Sequence, residues 1–200
     1  MVFTSRREKR LWQAAGICLV LIYSSLYIAR PIVEFLRERN LLRATVGLVF
    51  FIVAVFVVGI VQRWHPGWRV YLGLALAVLL YAPVFLLLHL PEERLHYFEY
   101  GLFCGLVHAA LLERRKNKPV ADDLGAARRA LFSPWFLALI LTLAAGWIDE
   151  AIQDILPNRY YDLRDVAFNF SAGALYLVAW AIVEAAREWQ ARVVGDTVEH

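Results

Sequence analysis

Polar side chains crowd into residues 146–173 of a chain that is otherwise strongly apolar. The residues concerned are Asp149, Glu150, Gln153, Asp154, Arg159, Asp162, Arg164, Asp165 and Asn169. Ionisable groups in or beside a membrane span are costly, so such a concentration indicates a functional site by default. Neighbouring carboxylates can serve as general acid and base, and amides with a guanidinium can hold a polar ligand.

The spacing of the polar residues places several of them on common helix faces. Three pairs are three or four residues apart, as neighbours on an α-helix are: His96 and Glu99, Asp149 and Gln153, and Asp165 and Asn169. We expect these faces to point away from lipid and to pair with one another. Arg159 is the cation expected to balance the carboxylates, or else to bind a phosphate or carboxylate of a ligand.

Four roles are open for these residues. Carboxylates such as Glu99 and Glu150 would suit acid–base catalysis, although no nucleophile with a neighbouring base is visible. His96 and the carboxylates offer nitrogen and oxygen ligands, but no signature such as His-Glu-x-x-His supports a metal, and we expect neither metal nor cofactor. Recognition of a polar lipid headgroup needs fewer assumptions. The remaining alternative is an ion-pair network that only holds helices together.

The elements that must position these residues are membrane-spanning helices. The chain has 200 residues, of which 60% are hydrophobic, and its mean hydropathy is +0.53. Its apolar runs predict an all-α polytopic membrane helical bundle with about six spans. The expected spans are 11–29, 44–62, 70–90, 95–112, 135–153 and 165–186. The first run is too long for a signal peptide, so we expect an uncleaved span.

Local signals refine this pattern of spans. Pro31 favours the first turn of a new helix, so residues 31–43 are interpreted as an interfacial helix or a solvated loop. Pro83 should kink the third span. Residues 122–131 suit a short surface helix, and the tail 187–200 is expected to be exposed and frayed.

Small residues inside the spans indicate packing rather than chemistry. Gly101 and Gly105 form a GxxxG motif, and Gly173 lies in the last span, so all three are expected at close helix contacts. Cys18 and Cys104 both lie in apolar runs, and we interpret them as buried small hydrophobes rather than a disulfide or a metal site.

The distribution of basic residues predicts the orientation. With six spans both termini lie on one side, and the segments on that side hold twice as many Lys and Arg as the alternate segments. By the positive-inside rule the termini are cytoplasmic. The helix ends that carry His96, Asp149 and Asn169 then share the outer side of the membrane. The formal net charge of +3 does not suggest nucleic-acid binding.

The polar residues resemble the signature of the VanZ-like family of bacterial membrane proteins. The pattern is Asp-Glu-x-x-Gln, then Pro-x-Arg, then Asp-x-x-x-Asn-x-x-x-Gly, at Asp149, Glu150, Gln153, Pro157, Arg159, Asp165, Asn169 and Gly173. The family also tends to open an earlier helix with an acidic residue, then His and aromatics, which here are Glu92, His96, Tyr97, Glu99 and Tyr100. The resemblance covers about residues 70–185 and departs from the pattern at Glu93 and Leu177.

The resemblance implies a cell-envelope protein of the bacterial inner membrane. It implies a four-span core over 70–186, preceded by a two-span segment over 1–69 and followed by a cytoplasmic tail over 187–200. The family's name-giving member is associated with resistance to the antibiotic teicoplanin, and no reaction comes with the resemblance.

The expected function is recognition, with or without modification, of a lipid or lipid-linked envelope ligand at a polar outer-face site. The expected partners are membrane lipids or such an envelope precursor, and no nucleic acid. A membrane enzyme acting on such a lipid is one alternative. A non-catalytic subunit of a larger membrane complex is the other.

Overall fold

The fold is described from a computed structural model, which covers residues 3–88, 90–118, 133–156 and 161–198. All regular secondary structure in these ranges is α-helical, and no strand occurs in them. The helices are α1 (Arg6–Glu38), α2 (Leu42–Trp64), α3 (Trp68–Leu87), α4 (Pro91–Asn117), α5 (Pro134–Ile155) and α6 (Leu163–Val198). The prediction of an all-α protein is confirmed. The surface helix expected over 122–131 falls outside the described ranges.

Five segments of these helices are long and apolar enough to cross a membrane, which makes this a multi-pass membrane protein. They are Arg6–Ile28, Leu42–Arg63, Glu93–Asn117, Pro134–Ile155 and Leu163–Val194. The sixth expected span falls on α3, whose apolar segment Trp68–Val84 is shorter. At about 1.5 Å per residue, the 20 residues of α3 just match an apolar bilayer core of ~30 Å. That α3 crosses the membrane stays a prediction.

The expectation that a new helix begins at Pro31 is wrong, because α1 continues through Pro31 to Glu38. A proline removes one backbone donor, which a membrane helix with good partners tolerates. Helix α1 ends instead at Asn40, whose φ of 56° is left-handed. The bonds Leu41 N to Leu36 O (2.8 Å) and Asn40 N to Arg37 O (3.0 Å) close it as a Schellman motif. No separate interfacial helix therefore spans 31–43.

The prediction of a frayed tail after residue 186 is also wrong for the described residues, since α6 continues to Val198. The segment after residue 186 contains good helix formers, including Glu188, Gln190 and Ala191. Arg187 Nη1 lies 3.3 Å from Glu184 Oε2, one helical turn earlier, which adds modest support. Local propensity thus carries the helix beyond the apolar span.

The chain divides into two compact units, Met1–Pro31 with His96–Leu177, and Ile32–Leu95 with Val178–His200. The family resemblance predicts a different division, into a two-span segment over 1–69, a four-span core over 70–186 and a tail over 187–200. That division stays a prediction. The first unit has a core that includes the fully buried side chains of Ile22, Tyr100, Val107 and Leu177. All described members of the polar set from His96 to Asn169 belong to this unit.

Charged side chains connect the start of α1 to the end of α4 within the first unit. Ser5 Oγ accepts a hydrogen bond from Glu8 N (3.0 Å) and donates to Glu113 Oε1 (3.0 Å). Arg114 Nη1 lies 3.1 Å from Glu8 Oε1, and the Glu8 side chain is buried. Ser5 therefore caps α1, while the ion pair satisfies a carboxylate that burial would otherwise leave unpaired.

The second unit contains a close contact between α3 and the second half of α6. A Cβ added at Gly73 would lie 2.6 Å from Ala186 Cβ, so only glycine fits there. Near the start of α3 the Arg69 guanidinium lies over two indole rings, 4.8 Å from Trp68 and 4.7 Å from Trp189. These cation–π contacts and the glycine contact hold the second half of α6 against α3.

Candidate functional site

One face of α5 supplies the centre of the candidate site. Asp149, Glu150 and Gln153 are all buried there, together with Gly146. These positions follow the i, i+3, i+4, i+7 pattern of a single helix face. The start of α5 is set by Ser133, whose Oγ accepts from Phe136 N at 3.2 Å, a standard N-cap. The polar face is therefore fixed by an ordinary, well-capped helix.

His96 on α4 bridges two carboxylates. Its Nε2 lies 3.0 Å from Asp149 Oδ2, and its Nδ1 lies 3.5 Å from Glu99 Oε2. The exposed fraction of the side chains falls from 40% at Glu99 through 28% at His96 to 0% at Asp149. The three groups thus lead from the protein surface into its interior.

Glu150 holds the end of α5 to the start of α6. Its Oε1 accepts from Gln153 Nε2 at 2.9 Å, and its Oε2 accepts from Asp162 N at 3.0 Å. Asp162 in turn caps α6, because its Oδ1 accepts from Arg164 N at 2.8 Å. Both hydrogen bonds that Glu150 accepts come from uncharged donors, an amide and a backbone N–H.

Two buried polar atoms at the site have no hydrogen-bond partner among the described residues: Asp149 Oδ1 and Asn169 Nδ2. Asn169 on α6 is 1% exposed. It packs against Gly146, where an added Cβ would lie 3.0 Å from Asn169 Cβ and 3.3 Å from its Nδ2. The amide therefore lies within about one helical turn of Asp149. An unpartnered buried donor or acceptor costs about 1–3 kcal/mol, so we expect a bound ligand or an ordered water beside these two atoms.

Two tyrosines that the sequence did not single out as site residues support the same turn of α5. Tyr23 on α1 donates to Ala145 O at 2.8 Å, and buried Tyr100 donates to the same oxygen at 3.4 Å. The Tyr100 ring also meets the His96 ring edge-on, with centroids 5.1 Å apart. The available signal at Tyr23 was a hydroxyl in a membrane span, which must find an acceptor, but Ser24, Ser25 and Tyr27 in the same span give the same signal.

Some of the polar residues that the sequence placed in the site are exposed rather than buried. Asp165 is exposed in the first turn of α6, where a carboxylate favours the positive helix end. Asp154 and Arg164 are exposed as well. Arg159, the expected cation, lies outside the described residues, as does Pro157, so their roles stay predictions. The structure brings together six of the expected residues in one site, called here the polar site: His96, Glu99, Asp149, Glu150, Gln153 and Asn169.

Two of the three expected packing glycines, Gly105 and Gly173, lie at close contacts between helices. A Cβ at Gly105 would lie 2.5 Å from the Tyr176 ring, and one at Gly173 would lie 3.2 Å from Cys104 Sγ. Gly101 is buried in α4. These contacts bring α4 and α6 near each other beside the polar site.

Elsewhere in the first unit, His108 lies in the core. Its ring is buried and meets the Trp135 ring edge-on at 5.7 Å. Within the described ranges, no three or more His, Cys, Asp or Glu side chains are grouped so as to hold a metal ion.

Compared with known proteins, the chain matches no family model, no curated protein and no solved structure.

Proposed function

We propose that this protein is a VanZ-like integral membrane protein of the bacterial inner membrane that binds the polar headgroup of a lipid or lipid-linked envelope ligand. The binding site is the polar site formed by α4, α5 and α6, which is called the headgroup site from this point on. The observation that carries the proposal is the pair of buried, unpartnered atoms, Asp149 Oδ1 and Asn169 Nδ2. A ligand with a donor and an acceptor side by side would satisfy both at once.

The orientation belongs to the same proposal. Cytoplasmic termini, as the basic residues favour, put the headgroup site at the outer face of the membrane. A lipid can then present its headgroup to the site while its acyl chains stay in the bilayer. The site is compatible with this approach because Glu99 and His96 are partly exposed.

The test uses Asn169→Leu, a change that replaces the amide with an apolar side chain of the same branched shape. If Asn169 serves a ligand, the variant folds at least as stably as the native protein, because it removes an unsatisfied buried donor. It should also lose bound lipid when the protein is purified without stripping lipid and examined by native mass spectrometry.

The matched control is Thr142→Val. Thr142 is also buried on α5, but its hydroxyl already donates to Ala138 O at 2.8 Å, so its removal should leave lipid binding unchanged. Loss of stability in Asn169→Leu with unchanged bound lipid would mean that the amide only supports the fold. A stoichiometric protein partner and no specific lipid would favour a subunit of a larger complex.

A membrane enzyme is the second candidate, and one observation favours it. The His96 ring lies between two carboxylates, and such an arrangement orients an imidazole for proton transfer. A reaction would show as conversion of the bound lipid during incubation. His96→Gln should then stop conversion while the lipid remains bound.

A further inference from the structure

We propose that the headgroup site selects a headgroup with a primary amine, such as an ethanolamine-type ammonium, over one that carries phosphate as its only charge. This inference rests on the proposed function and names the chemistry of the group that is bound. It differs from the expectation that Arg159 would make the site a receptor for phosphate or carboxylate.

The first argument is the balance of charge. Glu99, Asp149 and Glu150 bring three carboxylates to the site. Among the described residues, His96 is the one basic side chain within ion-pair distance of any of them. Glu150 is buried and is satisfied by an amide and a backbone N–H. The described part of the site thus holds more carboxylates than basic side chains, which favours a cationic ligand over an anionic one.

The second argument is the position of the free acceptor. Asp149 uses Oδ2 for His96, while its buried Oδ1 has no partner within the described part of the chain. An ammonium N–H would donate a charge-assisted hydrogen bond to this oxygen. A phosphate oxygen in the same place would be repelled and would leave the acceptor unsatisfied.

The third argument is the donor beside it. Asn169 Nδ2 is buried, unpartnered in the described ranges, and about one helical turn from Asp149. An amine that carries an oxygen two or three bonds away, as an amino alcohol or its phosphate ester does, supplies an acceptor for this amide. The pair of orphan atoms therefore matches a headgroup that has a cationic donor next to an oxygen.

Access to the buried carboxylate requires side-chain movement. Asp149 is fully buried, whereas the His96 and Glu99 side chains are 28% and 40% exposed. An arriving ammonium therefore meets Glu99 first, and the Glu99 side chain must turn aside before the ammonium reaches Asp149. Glu99 is thereby placed to attract the ligand and Asp149 to hold it.

The experiment measures lipid affinity of the full-length purified protein by native mass spectrometry titration. The probes are phosphatidylethanolamine, phosphatidylglycerol and phosphatidylcholine with identical acyl chains. We expect phosphatidylethanolamine to bind about tenfold or more tightly than phosphatidylglycerol, as one charge-assisted hydrogen bond would give. Phosphatidylcholine should bind weakly, because its quaternary ammonium has no N–H to donate to Asp149.

Two variants test the residues. Asp149→Asn should reduce the preference for phosphatidylethanolamine to about the level of phosphatidylglycerol, because the charge at the acceptor is lost. Glu99→Gln alters a partly exposed carboxylate and should weaken the preference too, which covers the case in which Asp149→Asn does not fold. Glu184→Gln is the matched control, since Glu184 pairs with Arg187 on α6 in the other unit.

The outcomes separate the two proposals. Equal or tighter binding of phosphatidylglycerol that is lost in Asn169→Leu would overturn the amine inference and keep the headgroup proposal. A preference for phosphatidylethanolamine that survives both carboxylate variants would also overturn the amine inference. If no lipid depends on Asn169, the headgroup proposal fails and the amine inference fails with it.

Discussion

Asp149 combines two properties that are costly together: its side chain is fully buried, and only one of its oxygens has a partner among the described residues. That partner is His96, so the stability of the first unit depends on this contact. A buried charge that loses its partner costs much more than a buried pair contributes.

We therefore expect His96→Ala to lower the free energy of unfolding by about 3–5 kcal/mol, measured by reversible unfolding in detergent. Asp149→Asn should relieve part of that loss when it is added to His96→Ala, because the stranded charge is then removed. The double-mutant cycle should show a coupling of at least about 0.5 kcal/mol. Simple additivity of the two changes would contradict a direct interaction.

At the residue scale, much of the candidate site could be predicted. Spacing of three and four on single helices pointed to His96 with Glu99 and to Asp149 with Gln153, since neighbours on one helix follow from the sequence alone. The support of Ala145 O by Tyr23 could not be predicted. It joins residues 122 positions apart, and nothing in the local pattern of α1 indicates which helix it meets.

At the scale of elements, the apolar runs predicted the helices well and their ends less well. The break expected at Pro31 does not occur, because one lost backbone hydrogen bond is small against the continuity of a 33-residue helix. The end expected at residue 186 fails for a related reason, since charged helix formers can extend a helix beyond its apolar span. Single residues that signal a helix end are thus less reliable predictors than the apolar runs that signal the helices.

Gly73 offers the sharpest test of helix packing. It is followed by Ala77 four residues later, a small-xxx-small pattern that the sequence analysis did not use. Gly73→Ala should lower the unfolding free energy by about 1–3 kcal/mol, since its new Cβ meets Ala186 Cβ, which cannot move without the α6 backbone.

Gly47→Ala in α2 is the control for that measurement. No atom lies within 4 Å of a Cβ added at Gly47, so this change should be neutral or slightly stabilising, because alanine favours a helix. Equal effects of the two substitutions on thermal unfolding would show that α3 and α6 do not pack as described.

For the whole molecule, composition was sufficient to predict a multi-pass helical membrane protein. The number of crossings depends on one helix, α3, since five other segments are long and apolar enough. If α3 crosses, the termini share one side of the membrane; if it does not, they lie on opposite sides. Hydropathy cannot decide this, because α3 is at the lower limit of length.

We expect six crossings, with both termini in the cytoplasm and Asp162 at the outer surface. The test places single cysteines in a background without Cys18 and Cys104, and labels intact cells with a membrane-impermeant maleimide. Asp162→Cys should be labelled from outside, whereas Ser5→Cys and Ala191→Cys should react only after the cells are opened. Labelling of Ala191→Cys in intact cells would indicate that α3 does not cross.

The length of α3 has a further consequence, for the lipids around the protein. A helix of 20 residues has no spare length for tilting, so wherever it crosses a thick bilayer the lipids beside it must compress or shorten to meet its ends. Lipids with shorter acyl chains would then be enriched around α3, and the bilayer would be locally thinner there. Bilayer thickness would thereby decide in which regions of the envelope this protein resides.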